Sequence, residues 1–240
     1  ASYSFNVQRV SDDETPIAIG ATVNAQLAHV GQRDLYTFSL AASGRLYFDS
    51  LTSSSDFRWW LSGPRGEVVS NRAFSSSDSG SIGGSPTLDL VAGDYTLYVD
   101  PVGPTVGSYA FRLLDVSQAP ALVPGSEVSG TLGPANETDI YRFDVTAGER
   151  FYFDRISQSG PAPYWRLLDP YGRLVWGPTG FGSDIDVTTL NLSGSYTLLI
   201  EGYISPTTGT ASYSFNVQRV SDDETPIEIG VTTPVNWTAG

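Results

Sequence analysis

DLYTFSLAASGRLYFDSL, residues 34–51, comes back as DIYRFDVTAGERFYFDRI, residues 139–156, 105 positions later. In both copies apolar and polar side chains alternate with a period of two, the pattern of strands with one covered face and one wet face. Tyr36, Phe38 and Leu40 share a face, and Tyr141, Phe143 and Val145 take the same places in the second copy. Ala42–Ser43–Gly44 supplies turn chemistry between the alternating runs.

Further matches follow in the same order. WLSGPRGEVV (60–69) matches RLLDPYGRLV (166–175), GDYTLYV (93–99) matches GSYTLLI (194–200), and SYAFRLLDV (108–116) matches SYSFNVQRV (212–220). Four blocks in one order define two homologous modules, and internal repeats of this kind decide architecture before any local motif does. Tyr95, Leu97 and Val99 form another apolar face, as do Tyr109, Phe111 and Leu113; module two repeats them as Tyr196, Leu198, Ile200 and Tyr213, Phe215, Val217. No stretch carries a sustained 3.6-residue stripe. Short strands, frequent Gly and Pro and modules of about 100 residues predict an all-β chain of two tandem antiparallel β-sandwiches, jelly-roll or immunoglobulin-like.

A second, longer repeat encloses the first. ASYSFNVQRVSDDETPIAIG (1–20) returns at 211–230 with one change, Ala18 to Glu228, a period of 210 residues. The expected organisation is the last strand of a preceding repeat at 1–10, a linker at 11–16, module one at 17–116, a linker at 117–119, module two at 120–220, a linker at 221–227 and the start of a further module at 228–240. Short Pro-containing connectors bend less than a Gly/Ser tether, so the expected shape is a semi-rigid row of beads.

Composition narrows the function. The net charge of −13 reflects missing base, since all 13 cationic residues are Arg and none is Lys. Without a basic stripe the chain is a poor partner for nucleic acid or anionic lipid, and no apolar run reaches the roughly 20 residues of a membrane helix. With no Cys there are no disulfides, thiolate metal sites or Cys nucleophiles. The absence of Lys forbids a Lys–Asn isopeptide crosslink, which leaves packing, hydrogen bonds or bound ions to provide stability.

The motifs Asp34–Phe38, Leu46–Asp49, Leu61–Gly66 and Gly93–Val99, with Asp139–Phe143, Phe151–Asp154, Leu168–Gly172 and Gly194–Ile200 in module two, resemble the bacterial pre-peptidase C-terminal domain. The resemblance covers both modules and rests on structural, not catalytic, motifs. It implies sandwich domains appended to secreted proteases or strung along large surface proteins, some of which bind calcium or carbohydrate. Module one departs from the pattern with Gly63 where module two has Asp169.

Catalytic signatures are weak. His29 is the only histidine, and no G-x-S-x-G elbow, HExxH pair or P-loop occurs. Asp78–Ser79–Gly80 spells the D-[ST]-G of aspartic proteases, yet a serine run precedes it in place of an apolar strand, so it reads as a flexible polar loop. For calcium, a possible cofactor and the only one suggested, the candidate ligands are the connector carboxylates Asp12, Asp13, Glu14, Asp222, Asp223 and Glu224, against the plainer reading of solvated linkers. Asp184, Asp186, Asp49 and Asp154 are weaker candidates. For surface glycans, the candidate platform is Trp60, Tyr164, Tyr171 and Trp176, while Trp59 and Trp165 fall on core faces. Tyr3, Phe5 and Val7 copy the core residues Tyr213, Phe215 and Val217, so they are expected to dock on a neighbouring copy by strand addition. The expectation is a non-catalytic structural repeat of an extracellular or cell-surface protein, an adhesin stalk, spacer or filament subunit whose partners are further copies of the repeat. The alternative is a pair of carbohydrate-binding modules.

Overall fold

The computed structural model describes residues 2–5, 7, 9, 12–205, 207–222 and 229–230. Module one contains β1 (Asp13–Pro16), β2 (Thr22–Leu27), β3 (Asp34–Leu40), β4 (Gly44–Ser50), β5 (Phe57–Gly63), β6 (Gly66–Ala73), β7 (Thr87–Leu90), β8 (Gly93–Pro101) and β9 (Gly107–Asp115). They form two facing sheets, ordered β1-β3-β8-β5-β6 and β2-β9-β4-β7. Tyr36, Trp59 and Leu97 of the first sheet meet Phe48, Phe111 and Leu113 of the second in one core. Phe48 stacks on Trp59 with ring centroids 3.9 Å apart.

Module two repeats the plan with β10 (Glu127–Leu132), β11 (Thr138–Val145), β12 (Glu149–Ser159), β13 (Tyr164–Leu168), β14 (Leu174–Gly180), β15 (Ile185–Leu190), β16 (Gly194–Glu201) and β17 (Ala211–Val220). Its sheets are β11-β16-β13-β14 and β10-β17-β12-β15, closed over Phe143, Trp165, Leu198, Phe153 and Phe215. The fold is two antiparallel β-sandwiches.

The recurring D-x-Y motif now has a physical reason. Tyr109 Oη donates to Asp34 Oδ2 at 2.5 Å and lies 2.6 Å from Tyr36 Oη. Asp34 and Tyr36 belong to one sheet and Tyr109 to the other, so the motif bolts the two sheets across the core with satisfied polar groups. Tyr213, Asp139 and Tyr141 repeat the bolt in module two at 2.7 and 2.6 Å. The P-x-G and G-D/S-Y motifs also belong together. Gly93 and Gly194 both have φ +135°, and Pro64 and Pro170 occupy the space where their Cβ atoms would stand.

Residues 223–227 of the last expected connector and 231–240 of the expected further module lie outside the described residues, and neither of the other two connectors is a free tether. Asp13–Pro16, within the expected linker 11–16, pairs parallel with β3 and becomes the edge of that sheet. The residue before a proline favours extended backbone, and Pro16 lies on an edge strand, where a missing N–H is tolerated. The second connector does the same beside β11: Arg142 N donates to Pro120 O at 2.9 Å and Leu122 N to Arg142 O at 2.8 Å. The expected linker 117–119 is part of this packing, with Val116 and Ala119 both buried.

Candidate functional site at the seam between the modules

Strand burial reveals where the modules meet. β8 alternates buried and half-covered residues along its length, whereas its counterpart β16 is buried continuously from Tyr196 to Glu201, and β4 is buried from Leu46 to Ser50. Continuous burial means both faces of a strand are covered. The outer face of sheet β2-β9-β4-β7 lies on the outer face of sheet β11-β16-β13-β14, so four sheets stack in one order. Tyr47, Val116, Ala119, Ile140, Leu168 and Leu199 form the apolar patch of this seam, with Leu114 packed against it. The row of beads expected from the connectors is replaced by two sandwiches joined face to face.

A polar network crosses the same seam. Tyr47 Oη reaches Glu201 Oε1 and Thr138 Oγ1, both at 3.1 Å. Arg112 binds Asp49 through Nε at 2.8 Å, donates to Thr138 O at 3.0 Å and also pairs with Glu137. Arg166, fully buried, donates through Nε to Glu201 at 3.0 Å and through its other nitrogens to the carbonyls of Ser79 (2.7 Å), Ile82 (2.8 Å) and Gly84. Those carbonyls belong to the 74–86 loop of module one. Arg suits this place because its planar fork serves several acceptors at once.

The 74–86 loop is not the flexible segment its serines suggest. Phe74 is buried in the core, Trp59 Nε1 donates to Ser77 Oγ at 2.7 Å, and Ser77, Asp78 and Ser79 are buried. Asp78 accepts from Ser50 N at 2.5 Å, while Asn136 of module two donates to Ser50 O at 3.1 Å. The tail of β4, beyond the end of its pairing with β7, is thereby capped from both modules. Burial pushes the Asp49 carboxyl up to about 7 despite Arg112. Burial, then the neighbouring Asp49, holds Asp78 well above the carboxylate range, and burial also raises Glu201 against the pull of Arg166. One oxygen each of Asp49, Asp78 and Asn136 has no hydrogen-bond partner.

The other candidates are scattered. Trp60 faces outward, half-buried, and stacks on Tyr98 with centroids 4.9 Å apart. Tyr164 is half-buried at the seam, its ring against Gly80 of module one. Tyr171 is exposed beneath the Arg173 guanidinium. Trp176, expected at the surface, instead packs edge-on against Phe153 and Trp165, because β14 bends its side chain over the core. Asp12 and Glu14 are exposed, only the backbone of Asp13 is described, and Asp223 and Glu224 lie outside the described residues. Asp222 is engaged by both terminal nitrogens of Arg150, at 2.9 and 2.8 Å. No group of three or more His, Cys, Asp or Glu suited to a metal ion occurs among the described residues. Asp184 accepts from Tyr152 and Arg155 N, and Asp154 from Gln218 at 3.1 Å. Tyr3, Phe5 and Val7 are exposed, with no strand among the described residues of that segment.

His29 is exposed in the turn after β2. A concavity of about 780 Å³ is lined by Asn24, Gln26, Thr52, Ser108 and Ser205, and none of its lining residues is charged. The seam itself was not anticipated from the sequence. Its signal is the apolar run Leu198–Leu199–Ile200 and the pair Leu167–Leu168, where module one has Leu97–Tyr98–Val99 and Leu61–Ser62.

No family model matches the chain, and no curated protein does. Among solved structures it is similar to the pre-peptidase C-terminal domain of a Bacillus anthracis collagenase, with 22% identity, 42% of this chain and 95% of that one covered, and a TM-score of 0.33. It is also similar to a periplasmic inhibitor of g-type lysozyme from Aeromonas hydrophila, at 14% identity over 42% of this chain and 96% of that one, TM-score 0.31. Across 87% of its length it is similar to all of the CUB1-EGF-CUB2 domains of rat MASP-1, at 8% identity and a TM-score of 0.26. The β-sandwich fold stands on the sheets of this chain itself.

Proposed function

We propose that this chain is a non-catalytic structural repeat of a large secreted or cell-surface protein, in which the two modules form one rigid unit. The observation that carries this reading is the seam, which buries apolar groups of both modules and pairs Arg112 of module one with Glu137 of module two. A hinge between sandwiches would need a smaller and wetter contact. The 210-residue period supplies the repetition that a stalk or fibre uses. Exposed Tyr3, Phe5 and Val7, whose sequence copies form the buried strand β17, offer a further contact between copies by strand addition.

Removing one 210-residue period from the parent protein, imaged by electron microscopy, is expected to shorten its projection by a constant length. An unchanged outline would overturn the reading. A second reading, glycan binding, draws on the Arg33–Tyr98–Trp60 row, with the Arg33 guanidinium 4.7 Å from the Tyr98 ring centre. A glycan pull-down with Trp60→Ala and Tyr164→Ala variants separates the two, and no retention by the unaltered chain would remove it.

A further inference from the structure

The two modules share one strand lattice, so each face of the seam has an exposed twin. Leu35 pairs with Tyr98 and Trp60 with Tyr98 in module one, as Ile140 and Arg166 pair with Leu199 in module two. The twin of the buried face of β11-β16-β13-β14 is therefore the outer face of β1-β3-β8-β5-β6. Likewise Asp49 opposite Arg112 corresponds to Asp154 opposite Asn216, so the twin of the other buried face is the outer face of β10-β17-β12-β15.

The differences between the seam and its twins are matched across the contact. At the seam an arginine on one side, Arg112, reaches Thr138 on the other. In the twins that arginine becomes Asn216, and an arginine appears on the opposite side as Arg33 in the place of Thr138. The apolar seam pair Leu114 and Leu168 becomes the polar pair Gln218 and Ser62. The third exchange is one of shape: module one carries the 74–86 loop that wraps Arg166, module two has only residues 181–184 between β14 and β15, and the Arg166 position becomes Trp60. In these three exchanges a change on one face is answered on the other, as charge and polarity must be when two surfaces meet.

We propose that the outer face of sheet β1-β3-β8-β5-β6 of one copy docks on the outer face of sheet β10-β17-β12-β15 of a second copy, repeating the seam. Arg33 then faces Asp154, and Tyr152 takes the role of Tyr47, reaching Asp100 as Tyr47 reaches Glu201. The two faces differ and lie at opposite ends of the four-sheet stack, so the contact is heterologous and does not close on itself; copies add in an open row. This inference rests on the structural-repeat reading and gives it an assembly geometry.

The lack of native cysteine makes the geometry directly testable. Full-length Arg33→Cys and Tyr152→Cys chains are mixed under mild oxidation and followed by non-reducing electrophoresis. The mixed disulfide is expected to form at least tenfold faster than either self-disulfide, and a chain carrying both changes is expected to give a ladder. Asp154→Cys replaces Tyr152→Cys should the latter lower the Tm, and Trp60→Ala is expected to slow the crosslink without moving the Tm. Equal rates for mixed and self pairs would overturn the stacking. That failure would leave the period-deletion result standing, whereas failure of the deletion experiment would remove the structural-repeat reading itself.

Discussion

Replacing Arg166 by Ala removes the side chain that binds three carbonyls of the 74–86 loop to module two. Glu201 would be left fully buried with Tyr47 Oη as its remaining side-chain partner, and the carbonyls of Ser79, Ile82 and Gly84 would lose their donor. Removing one partner of a buried ion pair costs about 3–5 kcal/mol. Against a domain stability of about 5–15 kcal/mol, that is a large share. The apolar patch around Leu199 and Leu168 persists, so each sandwich should still fold. Urea unfolding followed by tryptophan fluorescence reads both modules, since Trp59 sits in one core and Trp165 in the other. The unaltered chain is expected to unfold in one transition and Arg166→Ala in two, with the lost stability concentrated in the first. The loss should shrink as pH falls, because burial already raises the Glu201 carboxyl and losing Arg166 raises it further, so the stranded group is neutralised by a proton. Arg166→Lys should keep only part of the stability, because an ammonium cannot serve Glu201 and the loop carbonyls with the same fork. Arg166→Met combined with Glu201→Leu should recover most of the loss, as apolar replacements of buried pairs do. A loss below about 1 kcal/mol, the worth of an exposed pair, with the single transition intact, would refute the coupling.

Further expectations concern pH, the sheet bolts and metal. Asp49, Asp78 and Glu201 all hold their protons more tightly folded than unfolded, so stability is greatest below about pH 4 for this set and falls as pH rises, through about 7 for Asp49. Asp169 and Asp184, whose carboxyls are lowered, act in the opposite sense only in strong acid. Asp78→Asn keeps an acceptor for Ser50 N and is expected to raise the Tm at pH 8 and flatten its pH dependence; an unchanged slope between pH 5 and 8 would count against the buried-acid assignment. Tyr109→Phe should cost about 1–3 kcal/mol by leaving Asp34 Oδ2 without its donor while Oδ1 keeps Gln32, and Tyr213→Phe should likewise strand Asp139 Oδ2 in module two, both measured by urea denaturation. Calcium added after chelator treatment is expected to leave the Tm unchanged, because Arg150 already neutralises Asp222; a rise that Asp12→Asn or Glu14→Gln abolishes would restore the connector site.

Strand positions, core faces and the twofold plan were legible because alternation and repetition are local properties. Tyr36, Trp59 and Leu97 announce their burial through their neighbours two residues away. Trp176 did not, since its inward turn depends on irregular pairing between β13 and β14. Nor did Asp78, which looks like a polar loop residue until Ser50 N and the second module close over it.

The sequence by itself determined two homologous sandwiches and the strand residues that line each core, because every such choice follows from a two-residue period. The tertiary structure alone decided which outer faces are buried. Residues 1–10 and 211–220 have the same sequence, ASYSFNVQRV, yet Tyr3 is 88% exposed and Tyr213 2%. Burial at these sites belongs to whatever sheet stands opposite, and for Tyr213 that partner is supplied by residues more than seventy positions away.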